Sequence, residues 1–179
     1  KSAGLTGIGG GLNIKQADYN NDGFLDIFIM RGAWMGAFGK QPNSLLRNNG
    51  DDTFTDVTIE AGLLSFMPTQ AATWADFNND GWLDLFIGNE ADPENIYESE
   101  LYINNGDGTF TNQAKTAGLT VTSASNPHFV KGAAAIDFNN DGWVDLYVST
   151  LLPGSKNLLF LNKGMDESGN LSFEEIGES

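Results

Sequence analysis

Three short stretches of this chain are almost continuously apolar. They are Phe24-Leu25-Asp26-Ile27-Phe28-Ile29, Trp82-Leu83-Asp84-Leu85-Phe86-Ile87 and Trp143-Val144-Asp145-Leu146-Tyr147-Val148. Six residues rich in aromatic and β-branched side chains predict a strand enclosed on both faces rather than an amphipathic helix. Small residues precede the second and third stretches, in Ala71-Ala72-Thr73-Trp74-Ala75 and Gly132-Ala133-Ala134-Ala135-Ile136, as suits a strand with close neighbours. Downstream, Leu45-Leu46-Arg47-Asn48-Asn49-Gly50-Asp51-Asp52-Thr53-Phe54-Thr55 matches Leu101-Tyr102-Ile103-Asn104-Asn105-Gly106-Asp107-Gly108-Thr109-Phe110-Thr111. Both read as strand, tight turn, strand. A looser third copy runs from Leu158 to Gly164 and resumes at Phe173. Ala-Gly-Leu recurs at residues 3–5, 61–63 and 117–119, closing one unit and opening the next.

Each unit thus holds four strands in hairpin order, the blade of a β-propeller. The expected fold is all-β, with about three blades of four antiparallel strands over residues 6–63, 64–119 and 120–179 of one repeat region. Propellers close with four to eight blades, so the expectation is a segment of a larger propeller. The alternative is copies that assemble or pack against further blades to cover the two end faces.

Between the first two strands of each unit lies the nine-residue pattern D-x-N-N-D-G-x-x-D, starting at Asp18, Asp76 and Asp137. Its first, third, fifth and ninth residues offer side-chain oxygens, and its seventh offers a carbonyl. The candidate ligands are Asp18, Asn20, Asp22, Phe24 and Asp26; Asp76, Asn78, Asp80, Trp82 and Asp84; and Asp137, Asn139, Asp141, Trp143 and Asp145. With a water, such a set fills six or seven positions around a hard cation, a calcium-like number. The sixth-position glycine permits the sharp turn. An EF-hand shares the opening of the pattern but needs a Glu at position twelve and a following helix; Ile29, Ile87 and Val148 stand there instead. Asx-rich turns holding no ion are the plainer reading, and three copies in register favour about three calcium ions, one per loop.

The loops, the L-[FY]-[IV] strands that follow two of them and the N-N-G-D-G-T-F-T hairpin together resemble FG-GAP/VCBS repeats. These form the blades of integrin α-like propellers and of cartilage-acidic-protein-like bacterial proteins. The resemblance covers essentially the whole chain and implies one calcium per blade, held by the ligands named above. Gly88-Asn89-Glu90 and Ser149-Thr150-Leu151 stand where the family carries Gly-Ala-Pro. The resemblance therefore implies the blade, not integrin-like recognition.

The formal net charge is −15 with nine Lys plus Arg, which disfavours nucleic acid and anionic membrane surfaces. Nine of the 24 acids sit in the three loops, and three divalent ions at +2 each would bring −15 to −9. Crowded carboxylates repel without metal, so calcium is expected to stabilise the fold. The chain has no cysteine, hence no disulfide or thiolate site. Weak calcium loops fill where calcium is near millimolar, which points to an extracellular, periplasmic or cell-surface location. No apolar run is long enough for membrane insertion. Asn170-Leu171-Ser172 is one glycosylation sequon.

Enzyme signatures are thin, and no catalytic activity is expected. The single histidine, His128, lies in the loop Ser125-Asn126-Pro127-His128-Phe129, and Gly7–Gly11 lacks the Lys-Ser/Thr of a phosphate loop. Trp74, Trp82 and Trp143 read as core packing. Trp34, in the Gly-rich apolar connection of residues 30–43, reads as a contact residue, because function in repeat propellers resides in variable connections. The others span 88–99, with Asp92-Pro93-Glu94, and 149–157, with Pro153-Gly154-Ser155. The expected function is a calcium-binding, non-catalytic binding, adhesion or scaffold module with a protein or glycan partner. A lectin-like propeller and the accessory propeller of a larger secreted enzyme are the alternatives.

Overall fold

A computed structural model describes residues 2–35, 38–90, 97–119, 129–151 and 156–177. His128, Asp92-Pro93-Glu94 and Pro153-Gly154-Ser155 lie outside the described residues. Among the described residues twelve strands occur: β1 (Asn13–Ala17), β2 (Asp26–Met30), β3 (Ser44–Asn48), β4 (Phe54–Asp56), β5 (Thr69–Ala75), β6 (Asp84–Asn89), β7 (Glu100–Asn104), β8 (Phe110–Asn112), β9 (Val130–Ile136), β10 (Asp145–Thr150), β11 (Leu158–Met165) and β12 (Leu171–Glu175). They form three four-stranded antiparallel sheets, β1-β2-β3-β4, β5-β6-β7-β8 and β9-β10-β11-β12. This is the all-β, four-strand blade read from the sequence. No helix among the described residues is long and apolar enough to cross a membrane.

The first strands of the blades lie side by side, β1 against β5 and β5 against β9. The small residues of β5 and β9 allow that approach: Ala71, Ala72 and Ala75 are buried, and Ala133 and Ala135 pack at the edge of the core. The apolar cores lie between blades, not within them. One joins Tyr19, Phe28, Met30 and Leu45 of the first blade to Ala72, Leu85, Ile87 and Tyr102 of the second. The other joins Phe77, Phe86 and Leu101 of the second blade to Val130, Leu146, Val148 and Phe160 of the third. Strand β6 therefore sends Leu85 and Ile87 one way and Phe86 the other, and all six of its residues are buried. That two-sided enclosure explains the uninterrupted apolar run. Each fully buried Phe contributes roughly 2–3 kcal/mol by transfer.

The Ala-Gly-Leu segments latch consecutive blades. The carbonyls of Ala3, Ala61 and Ala117 accept hydrogen bonds from the amides of Phe54, Phe110 and Phe173, at 2.9, 3.0 and 2.8 Å. Each bond ties the segment before a blade to that blade's outermost strand. A single helical turn leads into two of them, with Ala61 N–H donating to Val57 and Ala117 N–H to Gln113, both at 2.8 Å. The third hairpin differs from the others: its register shifts between Asn162 and Met165, and a turn over residues 166–170 joins β11 to β12.

Candidate metal centres

The three acidic loops fold alike. The first Asp accepts two backbone N–H groups of its own loop. Asp18 takes those of Asp22 (3.0 Å) and Gly23 (2.9 Å), Asp76 those of Asp80 (3.0 Å) and Gly81 (2.8 Å), and Asp137 those of Asp141 (3.1 Å) and Gly142 (3.0 Å). The third-position Asn oxygen accepts the same fifth-residue N–H, at 3.3, 3.1 and 3.1 Å. The fifth Asp accepts the seventh-residue N–H, from Phe24, Trp82 and Trp143, at 2.9, 2.8 and 2.9 Å. Glycine is required at position six, where φ is +89°, +89° and +90°. At exposed Asp141, the Trp143 N–H and the Asn139 amide hold the carboxyl below its usual range.

The ninth Asp makes a different set of hydrogen bonds. Asp26, Asp84 and Asp145 are buried, and each spends both oxygens on backbone N–H groups. One is the second loop residue: Tyr19 at 3.4 Å, Phe77 at 2.9 Å and Phe138 at 2.9 Å. The other is an asparagine of the third strand: Asn48 at 2.7 Å, Asn104 at 2.8 Å and Asn162 at 2.8 Å. Burial pushes the Asp84 carboxyl up to about 7 and that of Asp26 to about 6, against the lowering effect of these N–H groups. Asp80 and Asp76 push Asp84 the same way. The two repeated motifs are thus one device, because the acidic loop is fastened to the N-N-G turn of its own blade. The seventh-position rings complete it. A Cβ at Gly106 would meet Trp82 Nε1 at 3.0 Å, and one at Gly164 would meet Trp143 Nε1 at the same distance. Trp82 and Trp143 therefore cover hairpin turns, whereas Trp74 packs against the core between the first two blades.

The donor set suits a hard cation, since it contains oxygen only. In their present arrangement the carboxylates are drawn onto loop amides. Among the described residues no three acidic or histidine side chains are gathered tightly enough to hold a metal ion. Each accepting oxygen retains a second lone pair, so the amides orient the first, third and fifth side chains without exhausting them. Asp18, Asn20 and Asp22, and their equivalents, stand at the exposed rim; the ninth Asp stands behind them as a bridge to the third strand.

The connection after β2 lies at the other end of the blade. Arg31 is buried there. Its Nε donates to the Gly10 carbonyl (3.1 Å), one terminal nitrogen to Pro42 O (2.8 Å) and Ser44 Oγ (2.9 Å), and the other to Gly9 O (2.9 Å). The Gly7–Gly11 segment is thus pinned along the wall of an open cavity of about 730 Å³. Its one sequence signal was a lone cation at the end of an apolar strand. Trp34 is 63 % exposed and reaches across the blades. Its backbone N–H donates to the Glu90 carboxylate of the second blade at 2.8 Å, and Lys131 of the third blade, ion-paired to Glu90, lies 3.4 Å from its ring centre.

The FG-GAP-like repeat profile matches this chain twice, at residues 18–87 and 76–148. Cartilage acidic protein 1 of Xenopus tropicalis is 27% identical over 150 residues, 83% of this chain and 21% of that protein. The Homo sapiens protein of the same name is 28% identical over 122 residues, 66% of this chain and 17% of its own length. The chain spans about a fifth of the length of these curated relatives. The two overlapping profile matches take in all three acidic loops and the apolar strands that follow them, and the chain belongs to the FG-GAP-like repeat family.

Proposed function

We propose that this chain is a calcium-stabilised, non-catalytic binding or scaffold module that works outside the cell, with one ion per acidic loop. The observation that carries this reading is the all-oxygen donor set, repeated three times with the same amide pattern. The cation supplies positive charge where three carboxylates per loop otherwise repel. Asp18, Asn20, Asp22 and Asp26 and their counterparts hold it, with a carbonyl from Phe24, Trp82 or Trp143, and the ninth Asp also ties the loop to the third strand. Extracellular calcium fills loops of this strength, and adhesion or assembly follows as the role of the variable connections. Calorimetric titration with calcium, run beside thermal unfolding in chelator, tests it. About three ions per chain and a clear rise in Tm are expected. Absence of both overturns the metal assignment.

A second reading, carbohydrate binding, rests on Trp34. One face of its ring is braced by Lys131 while the residue stays largely exposed, and a ring so held is a platform for a sugar face. Glycan-array binding that is lost in Trp34→Ala, with unfolding temperature unchanged, is the expected outcome under this reading. A flat array rejects it and leaves a protein partner.

A further inference from the structure

We propose that the fourth-position asparagine of the first and second loops positions the cation ligands of the next blade's loop, not of its own. The proposal rests on the calcium reading above. Asn21, Asn79 and Asn140 take left-handed backbone angles, φ +55°, +58° and +59°, a conformation asparagine tolerates better than most residues. The side chains of Asn21 and Asn79 turn away from their own loops. Asn21 Nδ2 donates to the carbonyl of Gly81 at 3.2 Å, and Asn79 Nδ2 to that of Gly142 at 3.0 Å. These bonds span 60 and 63 residues and run from each blade to the one after it.

The carbonyl that is gripped belongs to a particular peptide group. Gly81 C=O and Trp82 N–H share one plane, and so do Gly142 C=O and Trp143 N–H. Those N–H groups donate to Asp80 and Asp141, the fifth-position ligands. Anchoring the oxygen therefore aims the amide that aims the carboxylate. A Cβ at Gly81 or Gly142 would meet nothing within 4 Å, so no packing on that side of the turn shares the task. In the first loop no side chain among the described residues grips the Gly23 carbonyl, so loop one lacks the brace that loops two and three possess. Ligand order is thereby passed along the chain in one direction.

Terbium binding tests this loop by loop. The seventh residues of loops two and three are Trp82 and Trp143, whose indoles sensitise a lanthanide bound beside them. Trp82→Phe leaves the signal of loop three, and Trp143→Phe leaves that of loop two. Asn79→Gly keeps the positive φ and removes only the amide. The expected result is a 3- to 10-fold weaker terbium Kd at loop three, the size of one lost hydrogen bond, with loop two unchanged. In chelator the Trp143 amide should exchange faster with deuterium. Asn140→Gly should alter neither loop. An unchanged loop three in Asn79→Gly, or a loss confined to loop two, overturns the relay while leaving calcium binding intact. Absence of terbium luminescence from the parent chain overturns the metal reading itself, and the relay with it.

Discussion

Two kinds of acid in this protein look alike as residues and behave differently. At exposed Asp141 the Trp143 N–H and the Asn139 amide hold the carboxyl below its usual range. Glu100 is buried, and burial raises its pKa despite donors from Tyr102 (2.8 Å), Ser65 (3.2 Å) and Asn89 (3.4 Å). Raising the folded pKa of an acid above its unfolded value makes stability fall with rising pH. Glu100's contribution is full below the ordinary glutamate value and is lost as pH rises through it towards the folded one, where the unfolded chain ionises first. Glu100→Gln has no such slope. Urea unfolding of both proteins between pH 4 and 7 should show wild type losing ground steadily to the variant as pH rises. Parallel curves would mean that Glu100 is not the group responsible. Burial likewise raises Asp26 and Asp84 against the N–H groups they accept, and the sequence carried a sign of it: an acid in the middle of Phe-Leu-Asp-Ile-Phe-Ile is badly placed unless fully bonded.

At the scale of elements, the latch between blades concentrates on a few backbone atoms. Gly118 has φ +76°, and a Cβ there would sit 3.2 Å from the Phe173 carbonyl, beside the bond from Phe173 N–H to Ala117. Gly108 has a similar φ, +89°, with nothing near its Cβ position. Gly108→Ala should therefore cost only backbone strain, about 1 kcal/mol. Gly118→Ala should cost about 2 kcal/mol, since it also crowds the latch. Equal losses in denaturant unfolding would show that the latch carries no weight. Ala-Gly-Leu was legible as a punctuation mark because it recurs in register. Its partner, the outer strand of the following blade, was not legible, since a hydrogen bond across some fifty residues leaves no local pattern.

For the whole molecule, position in the row of blades overrides residue type. Tyr19, Phe77 and Phe138 occupy the same place in their loops, yet Phe77 is wholly buried and Phe138 is 54 % exposed. Phe77 packs edge-on against Phe173 of the third blade, ring centres 5.9 Å apart. Phe77→Ala in this 179-residue chain should cost about 3–5 kcal/mol. Phe138→Ala should cost less than about 1 kcal/mol. Comparable losses by calorimetry would contradict the division of the core into inter-blade layers. The four-strand unit, the apolar second strand and the donor order of the acidic loop could all be read from residues, because each depends on neighbours within about ten positions and repeats three times. Which face of each strand is covered, where the ninth Asp sends its oxygens, and how Arg31 and Trp34 are held depend on groups 10 to 100 residues away. Equal sequences acquire unequal surroundings when blades stack, so burial, and the energies that follow from it, belong to the packed array and not to the repeat.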